Sequence, residues 1–289
     1  MADWLRLLRP RQWVKNFFVL APLLFSGRAT RAEAVVPALL AFAAFCLLAS
    51  GVYALNDVAD READRLHPTK RLRPVASGRI SPRAAASAGI LLLLIALGIA
   101  WSVHATVALI AAAYVVLNAA YTMKLKDLVI LDVFSIAAFF LLRLLAGAAS
   151  VDVRPSIWLL LCGGLLALYL GFAKRRHEIV LLGDESADHR SVLVHYSPVF
   201  LDQMSVVLLS VTIVSYIMYS ISSETAAAVG SEALAYSTVF VLYGVFRYLF
   251  LVHQHDAGSP TETLLTDRAL IANVLLWLLY CGWVLYRPF

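Results

Sequence analysis

Three aspartates recur at a helical spacing directly after a long apolar segment. Asp57, Asp60 and Asp64 stand at positions i, i+3 and i+7, so on an α-helix they share one face. Carboxylates that converge repel one another unless a cation lies among them, and hard divalent ions take such oxygen ligands. Mg²⁺ is usually held by one or two carboxylates together with substrate phosphates. The spacing therefore predicts a catalytic Mg²⁺–diphosphate site on these three residues.

The residues around the three aspartates leave one alternative open. Asn56 lies at the edge of their face, Glu62 points the other way, and Arg61 and Arg65 flank the stripe. A solvated helix end with Asp–Arg pairs would use the same residue types. The one-sided spacing favours the metal site, with Asn56 assisting in substrate binding.

A basic loop follows the acidic stretch. Pro68 is expected to end the helix or begin the loop, and Lys70 and Arg73 come next. Bases beside a carboxylate–metal site suit phosphate oxygens that the metal does not reach. We therefore predict that Lys70 and Arg73 contact substrate phosphate, whereas Arg79 and Arg83 reflect the usual excess of base in cytoplasmic loops.

A second polar cluster follows the fourth apolar segment. Tyr121, Lys124 and Lys126 surround a very short loop, where they either hold a phosphate or anchor helix ends at the membrane surface. Asp132 enters the next apolar segment, where a carboxylate is costly and usually has a partner. Arg143, deeper in that segment, should face the interior as a structural or pocket-lining residue. We predict substrate contacts for all of these except Arg143.

A third cluster, AKRRHEI, marks the end of the sixth apolar segment. Lys174 and Glu178 are four residues apart and can share a helix face, and Arg175 lies between them. We predict that Lys174, Arg175 and Glu178 bind substrate. The alternative for Lys174 and Arg175 is a charge pattern that only sets the orientation of the chain in the membrane.

The composition is that of a membrane protein. Of 289 residues, 61% are hydrophobic and 15% are charged, whereas soluble domains are nearer half and a quarter. This predicts an all-α, polytopic bundle of about nine transmembrane helices that forms a single transmembrane catalytic domain over residues 1–289. The apolar segments run roughly over 14–26, 34–56, 84–101, 104–122, 128–149, 155–174, 203–222, 235–253 and 268–287.

Basic residues are distributed unevenly between the two sides. With the N-terminus in the cytoplasm, 18 bases fall on the cytoplasmic side and four on the other. The positive-inside rule then predicts a plasma-membrane protein whose long polar connections, 57–83 and 175–202, and whose active site face the cytoplasm. The net charge of +5 is explained by these loops, so nucleic acid is not an expected partner. The sequence carries no signal for oligomeric state.

The acidic motif NDVADREADR, its basic loop and YTMKLK together resemble the UbiA-type superfamily of intramembrane prenyltransferases. The resemblance implies nine helices, a cytoplasmic active site and an N/D-DxxDxxxD motif filled by Asn56, Asp57, Asp60 and Asp64. Typical members carry a second Asp-rich motif after the sixth helix. Here Lys174-Arg175-Arg176-His177-Glu178 stands in that place, which argues against ordinary prenyl-diphosphate chemistry.

Longer stretches resemble one branch of that superfamily, the decaprenyl-phosphate phosphoribosyltransferases. These stretches are LRPRQWVKNFFVLAPLLFSGR, HPTKRLRPVASGRIS and AKRRHEI. The first of them contains Lys15, which we predict to bind substrate. The resemblance implies transfer of 5-phosphoribose from phosphoribosyl diphosphate (PRPP) to a polyprenyl phosphate, for arabinan precursors of a cell wall. Two basic clusters around one acidic platform suit a donor with a diphosphate and a separate 5-phosphate, and an acceptor with another phosphate.

Three other functions are compatible with parts of the sequence. An aromatic prenyltransferase of the same superfamily would use a polyprenyl diphosphate and an acceptor ring. A transporter would use Asp132, Arg143 and Arg247 to mark a pathway through the membrane, and would leave the aspartate stripe unexplained. A non-catalytic membrane scaffold is the remaining class.

Overall fold

The structure is a computed structural model that describes residues 2–182, 191–254 and 266–286. Within these ranges the chain forms helices and no strands. The α-helices are α1 (Ala2–Leu8), α2 (Ala21–Phe25), α3 (Ala32–Ala59), α4 (Arg61–Leu66), α5 (Pro82–Val103), α6 (Ala105–Met123), α7 (Leu131–Ser150), α8 (Ile157–Leu182), α9 (Pro198–Ile221), α10 (Ser223–Val229), α11 (Thr238–Gln254) and α12 (Arg268–Tyr286). Eight helical stretches in the described residues are long and apolar enough to cross a membrane. The predicted all-α, polytopic membrane protein is thereby confirmed.

The ends of the long helices follow ordinary capping rules. Ser81 precedes Pro82, and its hydroxyl accepts a hydrogen bond from the amide of Ala84. Ser197 precedes Pro198 and caps α9 in the same way. Because proline at the first helical position has no amide hydrogen to satisfy, the Ser-Pro pair both caps and starts a helix.

The chain divides into two compact units, of which the first comprises Met1–Lys126 and Phe139–Pro155. In this unit α3 and α5 approach closely where two glycines face each other. A β-carbon on Gly51 would lie 2.9 Å from the carbonyl oxygen of Gly89. Small residues allow such backbone contact between membrane helices. Phe45, Leu48 and Tyr114 belong to the buried core that α3, α5, α6 and α7 share.

The first predicted segment, 14–26, is not an α-helix of membrane length. Pro10–Val19 is a 3₁₀-helix, and α2 adds five residues. The chain meets α3 at three successive levels through hydrogen-bonded pairs, Arg9–Asp57, Trp13–Ser50 and Asn16–Cys46, and Leu23 shares a buried cluster with Ala38 of α3. The stretch of α3 from Ala38 to Asp57 is nineteen residues, or about 28 Å at about 1.5 Å per residue. The shorter segment Arg9–Leu23 extends along nearly this whole length because a 3₁₀-helix rises about 2.0 Å per residue.

Gly147 of α7 permits the close approach of this 3₁₀ segment. A β-carbon at Gly147 would lie 2.0 Å from the carbonyl oxygen of Val19. We expect Gly147→Ala to destabilise the protein by about 3 kcal/mol or more, because two backbones must separate. Thermal unfolding in detergent measures the loss. Gly98→Ala is the matched control, since nothing lies within 4 Å of its β-carbon, and it should be neutral or slightly stabilising. Equal midpoints for the two variants would contradict the close approach.

The second unit comprises Asp127–Ala138 and Ser156–Phe289, so it includes the first part of α7. Two of its buried clusters include residues of α8. One gathers Val133, Phe172, Val192, Tyr196 and Leu201, and the other gathers Tyr169, Ala173, Leu209, Tyr248 and Leu270. The α7 residues of this unit pack against α8, where Gly171 leaves room for Val133: a β-carbon there would lie 2.6 Å from a Val133 methyl carbon.

Candidate active site

The aspartate stripe lies where α3 passes into α4. α3 ends at Ala59, yet the helical hydrogen bonds continue: the amide of Asp60 donates to the carbonyl of Asn56, and the amide of Asp64 to that of Asp60, both at 2.8 Å. The stripe therefore keeps its helical spacing. Asp57 and Asp64 are buried, with 1% and 4% of their surface exposed. Glu62 faces outward and pairs with Arg61 and Arg65, as the sequence predicts.

Two arginines bind the buried carboxylates. Arg9 and Arg73 both donate to Oδ1 of Asp57, Arg73 at 3.3 Å, and Arg73 also donates to Oδ2 of Asp64 at 2.6 Å. The guanidinium of Arg9 also lies 4.8 Å from the centre of the Tyr53 ring. Asp57 Oδ2 is buried and has no hydrogen-bond partner. A buried carboxylate oxygen without a donor is costly, so this atom is open to a cation.

Asp60 and Asn56 contact residues of α6 and of the turn that follows it. Asp60 Oδ1 lies 3.7 Å from Nζ of Lys126. The hydroxyl of Thr122 donates to Oδ1 of Asn56 at 3.1 Å. Lys126 of the second predicted cluster thus lies beside the acidic stripe.

The other predicted residues of these loops lie near the same helix ends. The ring of Tyr121 packs edge-on against Phe139, 5.8 Å between centres. Lys124 is exposed at the end of α6, and Lys70 is half-buried in the short 3₁₀-helix Lys70–Leu72. Phosphate binding by Lys70 and Lys124 stays a prediction.

The acidic stripe fits a divalent metal ion by its chemistry. Among residues 2–182, 191–254 and 266–286, no three His, Cys, Asp or Glu side chains converge closely enough to hold an ion by themselves. Mg²⁺, however, needs only one or two carboxylates when substrate phosphates complete its shell. Asp57 Oδ2 has no hydrogen-bond partner and can bind an ion. Asp57 and Asp64 both pair with Arg73, which shows that the two carboxylates lie close enough to share one cation.

Arg143 and Lys15 are two cations of the first unit that make no ion pair among the described residues. Arg143 is 4% exposed and donates to Asn16 Oδ1 at 2.7 Å, to the carbonyl of Phe139 at 2.8 Å and to the hydroxyl of Tyr114 at 2.9 Å. All three acceptors are neutral. Lys15 is half-buried and makes no ion pair among the described residues.

Sequence reasoning selected Lys15 but missed Arg9 and left Arg143 undecided. The available signal for Arg143 was a charge within an apolar run. Such a charge indicates either a structural partner or a ligand-binding site, and the sequence does not distinguish between them. Nothing in the sequence signalled that Arg9 reaches Asp57, since 48 residues separate them.

The charge of Lys15 should cost stability in the ligand-free protein, because this half-buried side chain on the 3₁₀-helix Pro10–Val19 makes no ion pair among the described residues. We expect Lys15→Met to raise the unfolding midpoint by a few degrees. Lys15→Arg, which keeps the positive charge, should show no such gain. Thermal unfolding in detergent measures both midpoints, and a midpoint of Lys15→Met equal to that of the unsubstituted protein would contradict this cost.

The third predicted cluster forms a compact ion network in the second unit. Arg175 is fully buried, and its Nε donates to Asp132 Oδ2 at 2.6 Å while another of its nitrogens pairs with Glu178. The hydroxyl of Tyr196 donates to Asp132 Oδ1 at 2.7 Å. Asp132 therefore has the partner that its position required. The prediction that Arg175 contacts a phosphate rests on the sequence alone, because two carboxylates engage it here.

The neighbouring bases of this cluster are also balanced by acids. Nζ of Lys174 lies 3.8 Å from Glu178 Oε1, and Nε of Arg176 donates to Asp202 Oδ1 at 2.5 Å. The motif KRRHE thus carries less free positive charge than its letters suggest. Arg247, one of the charges considered for a transport pathway, is paired with Asp267 at 2.8 Å.

Comparison with known proteins now adds to this geometry. Residues 17–284 match the model of the UbiA prenyltransferase family. The chain belongs to the UbiA prenyltransferase family. The family assignment covers both units and confirms the resemblance drawn from the acidic motif.

Among members of this family, two curated relatives carry the same name. The decaprenyl-phosphate phosphoribosyltransferase of Mycolicibacterium smegmatis is 32% identical over 99% of this chain and 93% of its own length. The protein of that name from Mycobacterium tuberculosis is 31% identical over 98% and 94%. Both confirm the resemblance to that branch.

A solved structure confirms the UbiA fold. A UbiA homologue from Archaeoglobus fulgidus bound to GPP and Mg²⁺ superposes with a TM-score of 0.70, at 20% identity, over 99% of this chain and 100% of that one. At this identity the likeness establishes the fold.

Proposed function

We propose that this UbiA-family protein is a Mg²⁺-dependent decaprenyl-phosphate phosphoribosyltransferase. It transfers 5-phosphoribose from PRPP to a polyprenyl phosphate and releases diphosphate, in the supply of arabinan precursors for a cell wall. The observation that carries the proposal is the nearly full-length similarity to relatives named for this activity. The active site faces the cytoplasm from the plasma membrane, and residues 1–289 act as a single catalytic domain.

The acidic stripe would hold the leaving diphosphate. Asp57, Asp60 and Asp64 are the proposed metal ligands, with Asn56 assisting. When bound, Mg²⁺ neutralises the charge that develops on the leaving oxygens, and its presence in an A. fulgidus homologue supports its use here. Arg73, which already contacts two of the carboxylates, is placed to reach phosphate oxygens that the metal leaves free.

The transfer itself is a substitution at the ribose C1 carbon. The bond between C1 and the diphosphate oxygen breaks, and a bond between C1 and an oxygen of the lipid phosphate forms, through an oxocarbenium-like state. Because the acceptor phosphate is already an anion, the site needs no strong general base. The chain's own contribution is to position donor and acceptor and to stabilise negative charge.

The remaining predicted residues are proposed to bind the donor and the acceptor, with the basic residues at their phosphates. In the first unit these are Lys15, Lys70, Tyr121, Lys124 and Lys126. In the second unit they are Asp132, Lys174, Arg175 and Glu178, and the ion pairs of Arg175 with Asp132 and Glu178 support a positioning role for Arg175 and Asp132.

A parallel assay tests the proposal against aromatic prenyl transfer. Purified protein in detergent receives Mg²⁺, a polyprenyl phosphate and PRPP labelled with ¹⁴C in the ribose. A second reaction receives a prenyl diphosphate and 4-hydroxybenzoate. Mg²⁺-dependent label in the lipid phase is the expected result. Label that stays in water while the aromatic acid becomes prenylated would overturn the proposal in favour of the prenyltransferase.

A further inference from the structure

Each carboxylate of the acidic stripe already has a basic partner from the chain itself. The ion pairs are Arg9–Asp57, Arg73–Asp57 at 3.3 Å, Arg73–Asp64 at 2.6 Å and Lys126–Asp60 at 3.7 Å. Among these residues, three negative charges meet three positive charges. A divalent ion that approaches the stripe without phosphates therefore finds the carboxylates engaged and their charge balanced, which weakens its attraction to the site.

The backbone at Arg9 is strained, and the surrounding contacts keep it so. Arg9 has a φ of +52°, in the left-handed region that a residue with a side chain adopts at an energetic cost. The turn is fixed on α3, because the hydroxyl of Ser50 donates to the carbonyl of Leu8 at 2.8 Å and accepts from Nε1 of Trp13 at 3.0 Å. Strain that is held in place by such contacts often serves a functional site. Here it accompanies the contact between Arg9 and Asp57.

The side chain of Arg9 orients one carboxylate without using all of it. Its guanidinium lies 4.8 Å from the centre of the Tyr53 ring, and Tyr53 and Asp57 are four residues apart on one face of α3. Arg9 donates to Oδ1 of Asp57, whose side chain is 2% exposed, while Oδ2 keeps no hydrogen-bond partner. Arg9 thus fixes the rotation of the carboxylate, and Oδ2 remains open to a cation.

We propose that Arg9 is a positioning residue that makes the binding of a divalent metal ion to the acidic stripe depend on diphosphate. Without phosphates, the charge of Arg9 beside Asp57 opposes a second cation. A diphosphate brings negative oxygens that the metal ion and the arginines can share. The inference rests on the proposed function in one respect, namely that the diphosphate belongs to PRPP. Metal ion and donor then bind together, as one complex.

Metal titrations of the full chain in detergent, without phosphates, test the role of Arg9. Mn²⁺ replaces Mg²⁺ because electron paramagnetic resonance measures its free form. We expect Arg9→Met to raise the affinity for Mn²⁺ about tenfold to hundredfold, since a like charge beside the divalent ion is removed. Arg9→Lys, which keeps the charge, should bind Mn²⁺ as weakly as the unsubstituted protein. Arg11→Met is the matched control, an exposed arginine on the 3₁₀-helix that follows Arg9, and should change nothing.

The direction of the change separates positioning from a purely structural role. Loss of a structural contact would leave the affinity for Mn²⁺ unchanged or lower it, whereas the proposal requires a rise. Lys126→Met tests the same charge balance at Asp60 in case Arg9→Met does not fold, and should also raise the affinity. Unchanged or lowered affinity for Mn²⁺ in folded variants would overturn the inference.

A second measurement follows the coupling between metal ion and diphosphate. Binding of ³²P-labelled inorganic diphosphate is compared with and without Mg²⁺, and each ligand must strengthen the other by the same factor. We expect this factor to be smaller in Arg9→Met than in the unsubstituted protein, and equal factors would contradict the proposal. Tighter Mn²⁺ binding by Arg9→Met, in a protein that transfers no ribose label, would retain the inference about Arg9 and overturn the proposed function.

Discussion

Asp57→Asn should reduce turnover by about a thousandfold while the protein still folds. The substitution removes a buried ligand oxygen from the acidic stripe, and metal stabilisation of the leaving diphosphate is worth several kcal/mol, at about 1.4 kcal/mol per tenfold in rate. Asp57 is the residue of choice because one of its oxygens is buried without a partner. The assay is transfer of ribose label to the lipid phase at saturating PRPP.

Two controls separate this loss from unfolding. Glu62→Gln changes an exposed acid of the same stretch, whose contacts are to Arg61 and Arg65, and should leave the rate within about twofold, as expected for a surface change. The unfolding midpoint of Asp57→Asn shows whether the fold persists. Full activity in both Asp57→Asn and Asp60→Asn would contradict the proposal that the acidic stripe holds Mg²⁺.

Arg175→Met should destabilise the protein by about 3–5 kcal/mol. The change leaves the buried Asp132 without its arginine and with Tyr196 as its remaining donor, and breaking a buried pair from one side carries a cost of that size. The measurement is unfolding of the detergent-solubilised protein by heat or denaturant. Lys174→Met, next along the helix and exposed, should change stability by less than about 0.5 kcal/mol.

The double variant Asp132→Asn/Arg175→Met isolates the charge effect from packing. If the single variant suffers from an uncompensated carboxylate, removing that carboxylate should restore most of the lost stability. A double variant that is less stable than Arg175→Met would show that shape, rather than charge, explains the loss.

Local periodicity accounts for what the sequence predicted well. The spacing of Asp57, Asp60 and Asp64 dictates a common helix face, and the structure keeps that face through the α3–α4 junction. Eight of the nine apolar segments became membrane-length helices because apolar runs of about 20 residues leave the backbone few alternatives in a membrane. The cost of an intramembrane carboxylate correctly implied a partner for Asp132.

Long-range contacts account for what the sequence could not supply. The segment 14–26 is too short for a spanning α-helix, and only its contacts with α3 show how a 3₁₀ rise compensates. The bases of KRRHE suggested a free positive patch, but Asp132 and Asp202 come from elsewhere in the chain to balance it. The sequence likewise could not show that, among the described residues, Arg143 donates hydrogen bonds to neutral acceptors only.

The central claim is transfer of the phosphoribosyl group, and the fate of two phosphates tests it most directly. PRPP is prepared with ³²P either in the 5-phosphate or in the β-phosphate of the diphosphate. Each preparation is incubated with the protein, Mg²⁺ and a polyprenyl phosphate, and the lipid is extracted. The account predicts that the 5-phosphate label enters the lipid phase and the β-phosphate label stays in water as diphosphate. The β-phosphate label in the lipid, or neither label there, would contradict it.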